Sequence, residues 1–99
     1  MILGRLEELI LLSLHQNGYA QEAKDKMEKV TGKVYADGAV FTCMKRMEDK
    51  GYLTSEMTEA RKMKGGRKRR KYSITMEGKA ALRETYDEQM VIYDNFEDM

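Results

Sequence analysis

The sequence predicts a mainly α-helical fold with one small β-hairpin, and three observations support this prediction. Apolar residues recur at helical spacing in four separate stretches of the chain. Two short runs rich in Thr and Tyr follow the third stretch and are typical of strands. Between these runs lies a basic segment, residues 61–71, in which eight of eleven residues are Lys or Arg and none is acidic. A basic hairpin that follows a helix has the form of a wing.

The basic segment concentrates the positive charge of the chain. The formal net charge is +1, yet outside this segment 10 basic and 17 acidic residues remain. Like charges repel one another, and an external polyanion compensates them best. Nucleic acid is the obvious polyanion. A solvated loop without a partner is the alternative interpretation.

Length and composition limit the classes of protein that fit. The 99 residues suffice for one domain with one modest core. No apolar run approaches the length of about 18 residues that a membrane span needs, and neither a membrane segment nor a signal peptide is expected. The single cysteine excludes an internal disulfide and indicates a reducing cytoplasm. One Cys and one His give no metal-ligand cluster, and we expect no cofactor.

A first helix is predicted over residues 2–16. Its apolar face holds Leu3, Leu6 and Ile10, while Glu8 falls on the opposite face. This apolar stripe is wide, which indicates two packing partners, one of them a second subunit. A fully internal helix is the alternative.

A second helix is predicted over residues 19–31. The dipeptide Asn17-Gly18 precedes it and is typical of the end of the previous helix. After the second helix, Val34 and Tyr35 are candidates for a short strand.

The third predicted helix, residues 37–50, has the size of a recognition helix. Asp37 is a good N-cap because its carboxylate accepts from free backbone N–H groups. Its polar face consists of Phe41, Thr42, Lys45 and Asp49, with Arg46 at the edge. Phe41 is an unusual member of this face. Its ring either packs under the neighbouring loop or lies against a sugar–phosphate backbone while Thr42 and Lys45 approach bases or phosphates.

The hairpin is predicted to pair residues 52–58 with residues 71–75, and its tip lies at Gly65-Gly66. Glycines at the tip let the backbone bend and approach a phosphate closely. The candidate DNA contacts of this wing are Lys64, Arg67, Lys68, Arg69 and Arg70.

The last predicted helix begins with Thr75 as its N-cap. Gly78 is costly there unless another part of the chain packs closely against it. A seam with spacings of four and three residues consists of Leu82, Tyr86, Gln89, Tyr93 and Phe96, with Met90 beside it. Such a seam is typical of a helix that packs on another helix, and dimerisation through it is the favoured interpretation. Folding back onto its own domain is the alternative.

Together these residues resemble the PadR-like family of bacterial transcriptional regulators. The matching pieces are LGRLEELIL (3–11), GY (18–19), TG (31–32), GAVFT (38–42), KRMEDKG (45–51), GGRKR (65–69) and YSITMEG (72–78). Each piece alone is weak, but their order and spacing are specific. The single C-terminal helix is similar to the short branch of the family.

The resemblance implies a winged helix-turn-helix domain over residues 1–75, with the recognition helix in the major groove and the wing on the flanking backbone. It implies a C-terminal dimerisation helix over residues 76–99 and repression of transcription from pseudo-palindromic operators in double-stranded DNA. The family aromatic at the position of Phe41 is usually Tyr, whose hydroxyl is lost here. Some short relatives hold flat aromatic effectors between their C-terminal helices, where Tyr86, Met90, Tyr93 and Phe96 would line the space.

Two other classes of protein compete with this interpretation. An enzyme is disfavoured because His15 is the only histidine and no phosphate-cradling Gly loop is present. Cys43 is either a packed thiol or an oxidant sensor, and its apolar neighbours favour the first. An adaptor that binds RNA or protein on the same fold stays open, although no aromatic residues interleave with the basic run.

Overall fold

The computed structural model describes residues 3–58 and 69–98 of the chain. In chain order the elements are α1 (Arg5–Leu14), β1 (Asn17–Tyr19), α2 (Ala20–Thr31), α3 (Asp37–Asp49), β2 (Leu53–Thr58), β3 (Arg69–Ile74) and α4 (Met76–Glu97). The prediction of a mainly helical fold with a hairpin is therefore confirmed, and a third strand joins the hairpin.

The core lies where α1, α2 and α3 meet the sheet and the start of α4. Its fully buried large side chains are Leu3, Ile10, Leu11, Met27, Val40, Met44, Met47 and Leu53. Helical spacing in α3 brings Val40, Met44 and Met47 onto one face, as the sequence predicts. The opposite face of α3 is left to solvent.

The sheet is antiparallel and has the order β1-β3-β2. On one side of β3, Asn17 of β1 pairs with Ser73. On the other side, Leu53 of β2 pairs with Ile74. The sequence pattern did not predict β1, because three residues are too few to show an alternation. The expected strand at Val34 and Tyr35 is absent from the described residues, because the Tyr35 amide instead donates to Glu28 Oε2 at 2.8 Å.

The start of α3 differs from the prediction. Ala36 is the N-cap residue and Asp37 is the first helical residue, so the expected capping role of Asp37 was wrong. The Asp37 carboxylate instead pairs with Lys24 Nζ at 3.2 Å and joins α3 to α2. This hydrogen bond raises the pKa of Lys24, although burial opposes it.

The start of α4 agrees with the prediction. Thr75 Oγ1 accepts a hydrogen bond from the Gly78 amide at 2.9 Å and donates one to the Gly51 carbonyl oxygen at 2.6 Å. A Cβ atom at Gly78 would collide with the Tyr52 carbonyl oxygen. Glycine at this position therefore lets α4 begin directly against the turn before β2.

Glu8 of α1 is buried, although its position in the helical pattern predicted an exposed side chain. The reason is α4, which crosses this side of α1 and supplies Gln89 as a hydrogen-bond partner. In the two described ranges, no helix is both long and apolar enough to cross a membrane.

Candidate nucleic-acid interface

The exposed face of α3 carries Phe41, Thr42, Lys45 and Arg46. All four side chains are exposed because the helix buries the opposite face in the core. The basic and hydroxyl groups among them are donors suited to phosphate oxygens and base edges. This arrangement is the one that the sequence pattern predicts for the helix.

A cleft separates this face from the base of the wing. It lies between α2, α3 and β3, and its walls include Tyr19, Phe41, Arg69, Arg70 and Tyr72. The Phe41 ring is 51% exposed. It therefore forms an accessible wall of the cleft rather than a fully packed side chain. Burial raises the pKa of the Tyr72 hydroxyl at the floor of the cleft.

Arg69 is held at the mouth of this cleft. Its guanidinium carbon lies 3.8 Å from the centroid of the Tyr19 ring. A cation that stacks on an aromatic face is oriented without being neutralised. Tyr19 is itself fixed at the N-cap of α2, where its amide donates to Glu22 Oε1 at 3.1 Å. Arg69 therefore presents a positioned positive charge beside α3.

Arg70 connects the wing to the end of α3. Its guanidinium donates to Ser55 Oγ at 2.9 Å, and Ser55 Oγ donates to Glu48 Oε2 at 2.6 Å. The Ser55 hydroxyl thus accepts a hydrogen bond from the wing and donates one to α3. This relay fixes the orientation of the wing base relative to α3.

The other predicted DNA contacts of the wing and the glycine tip lie outside the described residues. These are Lys64, Arg67, Lys68 and Gly65-Gly66. Arg69 and Arg70, at the start of β3, are the described part of the predicted wing contacts.

A second cleft borders α3 on the side of α1. Arg5, Thr42 and Arg46 contribute to its walls. Nearby, Glu7 Oε2 lies 3.5 Å from Lys50 Nζ. The sequence pattern did not single out Arg5 or Tyr19, because each meets its neighbours across a long separation in the chain. Tyr19 directly before a helix start was the available signal.

Cys43 faces the interior of the domain. Burial raises the pKa of its thiol, and the Glu7 carboxylate adds to this effect. A raised pKa leaves little thiolate at neutral pH, which supports the packed thiol over an oxidant sensor.

The predicted dimer residues fall into three groups. Leu3 and Ile10 are completely enclosed by their own domain, so a second chain cannot reach them and their expected interface role is corrected. Leu6 and Leu82 are partly buried against the core. The third group, on α4, is exposed: Tyr86 at 51%, Tyr93 at 62% and Phe96 at 71% in the seam, and Met90 beside it at 42%.

Solved structures show the same fold. The chain is similar to a PadR family transcription regulator from hypervirulent Clostridium difficile R20291, with 25% identity and a TM-score of 0.78 over 96% of this chain and 97% of that one. A PadR family transcriptional regulator from Eggerthella lenta DSM 2243 gives 26% identity and a TM-score of 0.77 over 94% of this chain and 79% of that one.

Bacillus subtilis PadR, solved in complex with operator DNA, is more distant. It shares 16% identity and a TM-score of 0.67 over 82% of this chain and 45% of that chain, which shows the fold alone. No curated protein sequence matches the chain. The profile of the Transcriptional regulator PadR-like family matches residues 9–84. Because this match covers well over half of the chain, the protein belongs to the PadR-like family of transcriptional regulators, whose members are not enzymes.

Proposed function

We propose that this chain is a sequence-specific double-stranded DNA-binding regulator that acts in the cytoplasm as a homodimer and represses transcription from a pseudo-palindromic operator. The observation that supports it best is the exposed face of α3, with Arg69 and Arg70 positioned beside it at the base of the wing. The complex of Bacillus subtilis PadR with operator DNA is a precedent for the family.

The helix and the wing perform different tasks in this proposal. Thr42 and Lys45 read base edges in the major groove, where each good contact discriminates by about 1–3 kcal/mol. Arg69 and the other wing cations neutralise phosphates and release counterions, which gives affinity with strong salt dependence. Residues 1–75 form the DNA-binding part, and residues 76–99 form the dimerisation helix.

The exposed end of α4 supports the homodimer. Four consecutive apolar residues, 90–93, are all exposed and point in different directions around the helix. A helix that is apolar on several sides is normally covered. A second copy of α4 covers it at the seam of Tyr86, Tyr93 and Phe96. The dimer then sets two α3 helices about 34 Å apart, one turn of the duplex.

The DNA-binding part is tested by fluorescence anisotropy with an operator duplex and a scrambled duplex at about 50 and 200 mM salt. Lys45→Ala is expected to weaken operator binding more than scrambled binding. Arg69→Ala is expected to weaken both and to flatten the salt slope. Lys29→Ala, an exposed lysine in the last turn of α2, is the matched control and is expected to change neither. Equal losses for Lys45→Ala on both duplexes would contradict base reading by α3.

The homodimer is tested by light scattering on the purified protein. The wild type is expected to be a dimer, and Tyr93→Glu is expected to be a monomer because it places a charge in the seam. Asp94→Ala changes the neighbouring exposed residue outside the seam and is the control. A monomeric wild type at the concentration used in the DNA-binding assay would contradict the proposal.

Two further outcomes are informative. Tighter binding to RNA than to duplex DNA in a gel shift would favour the adaptor function. A flat aromatic effector would bind between the two α4 helices beside Tyr86 and Tyr93, and quenching of tyrosine fluorescence on titration tests it.

A further inference from the structure

A buried, hydrogen-bonded carboxylate joins α1 to α4 beyond the last buried residue of α4. Glu8 of α1 is only 5% exposed. The Gln89 side-chain amide donates to both of its oxygens, Oε1 and Oε2, at 3.1 Å each. Arg5 is the second partner and supplies a third hydrogen bond at 3.1 Å, but the Arg5 side chain is itself largely exposed. Gln89 is therefore the partner that satisfies this carboxylate from across the interface between α1 and α4.

The position of this contact along α4 is distinctive. The buried residues of the helix, Gly78, Ala81 and Thr85, all lie in its first half. Gln89 is partly buried, and residues 90–98 are all exposed. The Glu8–Gln89 pair therefore lies where α4 leaves the body of the domain. A rotation of the outer half of α4 relative to α1 would therefore change the geometry of this pair.

Stability alone is a poor explanation for a charge at this place. Apolar side chains of similar size commonly replace a buried ionic group without loss of stability. A carboxylate that accepts two hydrogen bonds from one amide differs from an apolar contact in being directional, since it tolerates only a narrow range of distances and angles. Buried polar pairs are best documented in the role of selecting one geometry among several.

We propose that the Glu8–Gln89 pair is a positioning device that sets the angle between α4 and the DNA-binding part, and thereby sets the half-site spacing of the operator. The inference rests on the proposed function, namely a dimer that binds duplex DNA through two α3 helices. A rotation of α4 relative to the DNA-binding part changes the separation of the two recognition helices. Successive base pairs lie about 3.4 Å apart along the duplex, so a change of a few ångströms in this separation shifts the preferred spacing by one or two base pairs.

The experiment selects among duplexes that carry the same two half-sites at different separations. The wild type is expected to select one separation. Gln89→Leu keeps the size and helix propensity of the side chain but removes the hydrogen bonds, and it is expected to select another separation or several with similar affinity. Its affinity for a single half-site is expected to stay as in the wild type, because α3 and the wing are unchanged. A Gln89→Leu variant that is a monomer would assign Gln89 to the dimer seam and would overturn the inference. Glu84→Gln, an exposed position on α4, is the matched control.

A rescue variant separates positioning from simple packing. Glu8→Gln combined with Gln89→Glu reverses the donor and the acceptor, leaves Arg5 within the same cleft, and is expected to restore the wild-type separation. If Gln89→Leu did not fold, Gln89→Asn would replace it, because the shorter side chain keeps the amide but does not reach Glu8.

The outcomes distinguish the inference from the function on which it rests. A wild type that binds no duplex as a dimer overturns the proposed function and the inference together. A wild type that selects one separation, with a Gln89→Leu variant that selects the same one as sharply, overturns only the inference. The same holds for a rescue variant that behaves like Gln89→Leu.

Discussion

Replacing Gly78 by Ala tests how closely α4 begins against the rest of the domain. The Cβ atom of an alanine would meet the Tyr52 carbonyl oxygen and would lie 3.1 Å from Ile74 Cγ2. The carbonyl is backbone and cannot rotate away. It also accepts a hydrogen bond from the Thr75 amide at 3.1 Å, so displacing it disturbs the N-terminal cap of α4 as well.

The size of the effect follows from two opposing contributions. Alanine in place of glycine stabilises a helix interior by about 1 kcal/mol. Overpacking against fixed atoms costs about 1–3 kcal/mol, and a weakened backbone hydrogen bond costs about 1 kcal/mol more. The steric contribution is the larger one, and we expect Gly78→Ala to lower the free energy of unfolding by about 2 kcal/mol. For a domain of this size the melting temperature falls by roughly 10 °C.

Urea denaturation followed by circular dichroism measures the change at fixed protein concentration. Gly38→Ala is the matched control, because Gly38 also lies in the first turn of a helix, yet nothing lies within 4 Å of its built Cβ atom. This control is expected to be neutral or more stable by up to about 1 kcal/mol. If Gly78→Ala proved as stable as Gly38→Ala, the close approach of α4 to the turn would be refuted.

Three further predictions concern single side chains. Burial raises the pKa of the Cys43 thiol, so the folded state holds this proton more tightly than the unfolded chain. Stability is therefore expected to fall as the pH rises above about 8.5, and Cys43→Ala is expected to flatten that slope in urea titrations between about pH 7 and pH 10. Ser55→Ala removes the hydroxyl between Arg70 and Glu48 and is expected to lower the free energy of unfolding by about 1 kcal/mol. Ser55→Thr keeps a hydroxyl and is expected to retain most of the wild-type stability. Thr75→Ala removes the N-cap of α4 and is expected to cost about 1 kcal/mol, with Thr75→Ser near the wild type in thermal melts.

The periodicity of apolar residues predicted the helices and strands that bury one face in the core. The four helices and the hairpin follow from it, because burial of one face imposes a regular spacing that the sequence displays. The boundaries are less accurate. The first helix was expected over residues 2–16, but α1 is Arg5–Leu14, since propensity alone does not determine where the last helical hydrogen bond forms.

Errors arose where a distant residue decides the outcome. The sequence around Asp37 contains a good capping signal, yet Lys24 of α2 attracts its carboxylate away from the backbone. In the same way, the pattern around Glu8 indicates an exposed acid, and only the packing of α4 buries it. Local spacing contains no information about either partner.

The candidate nucleic-acid interface likewise contains residues that local spacing predicts and contacts that depend on a distant partner. Helical spacing alone placed Thr42 and Lys45 on the exposed face of α3, because the core residues between them define the other face. The stacking of Arg69 on Tyr19 joins residues that are far apart in the chain and depends on the pairing of β1 with β3. Since β1 was not predicted, that contact was not predictable either.

On α4, helical spacing does not distinguish the residues that pack on the domain from those that face solvent, but residue size does. Buried positions in its first half are occupied by Gly78, Ala81 and Thr85, which are small enough to bring the helix close to the domain. The large side chains, among them Tyr93 and Phe96, lie further along and are exposed. A helix that had only to pack on its own domain would need no aromatic residues beyond its last buried turn, where they add apolar surface in water. The change from small to large side chains therefore marks the end of the part of α4 that packs on its own core. The exposed aromatic residues beyond this point support a second chain as the partner.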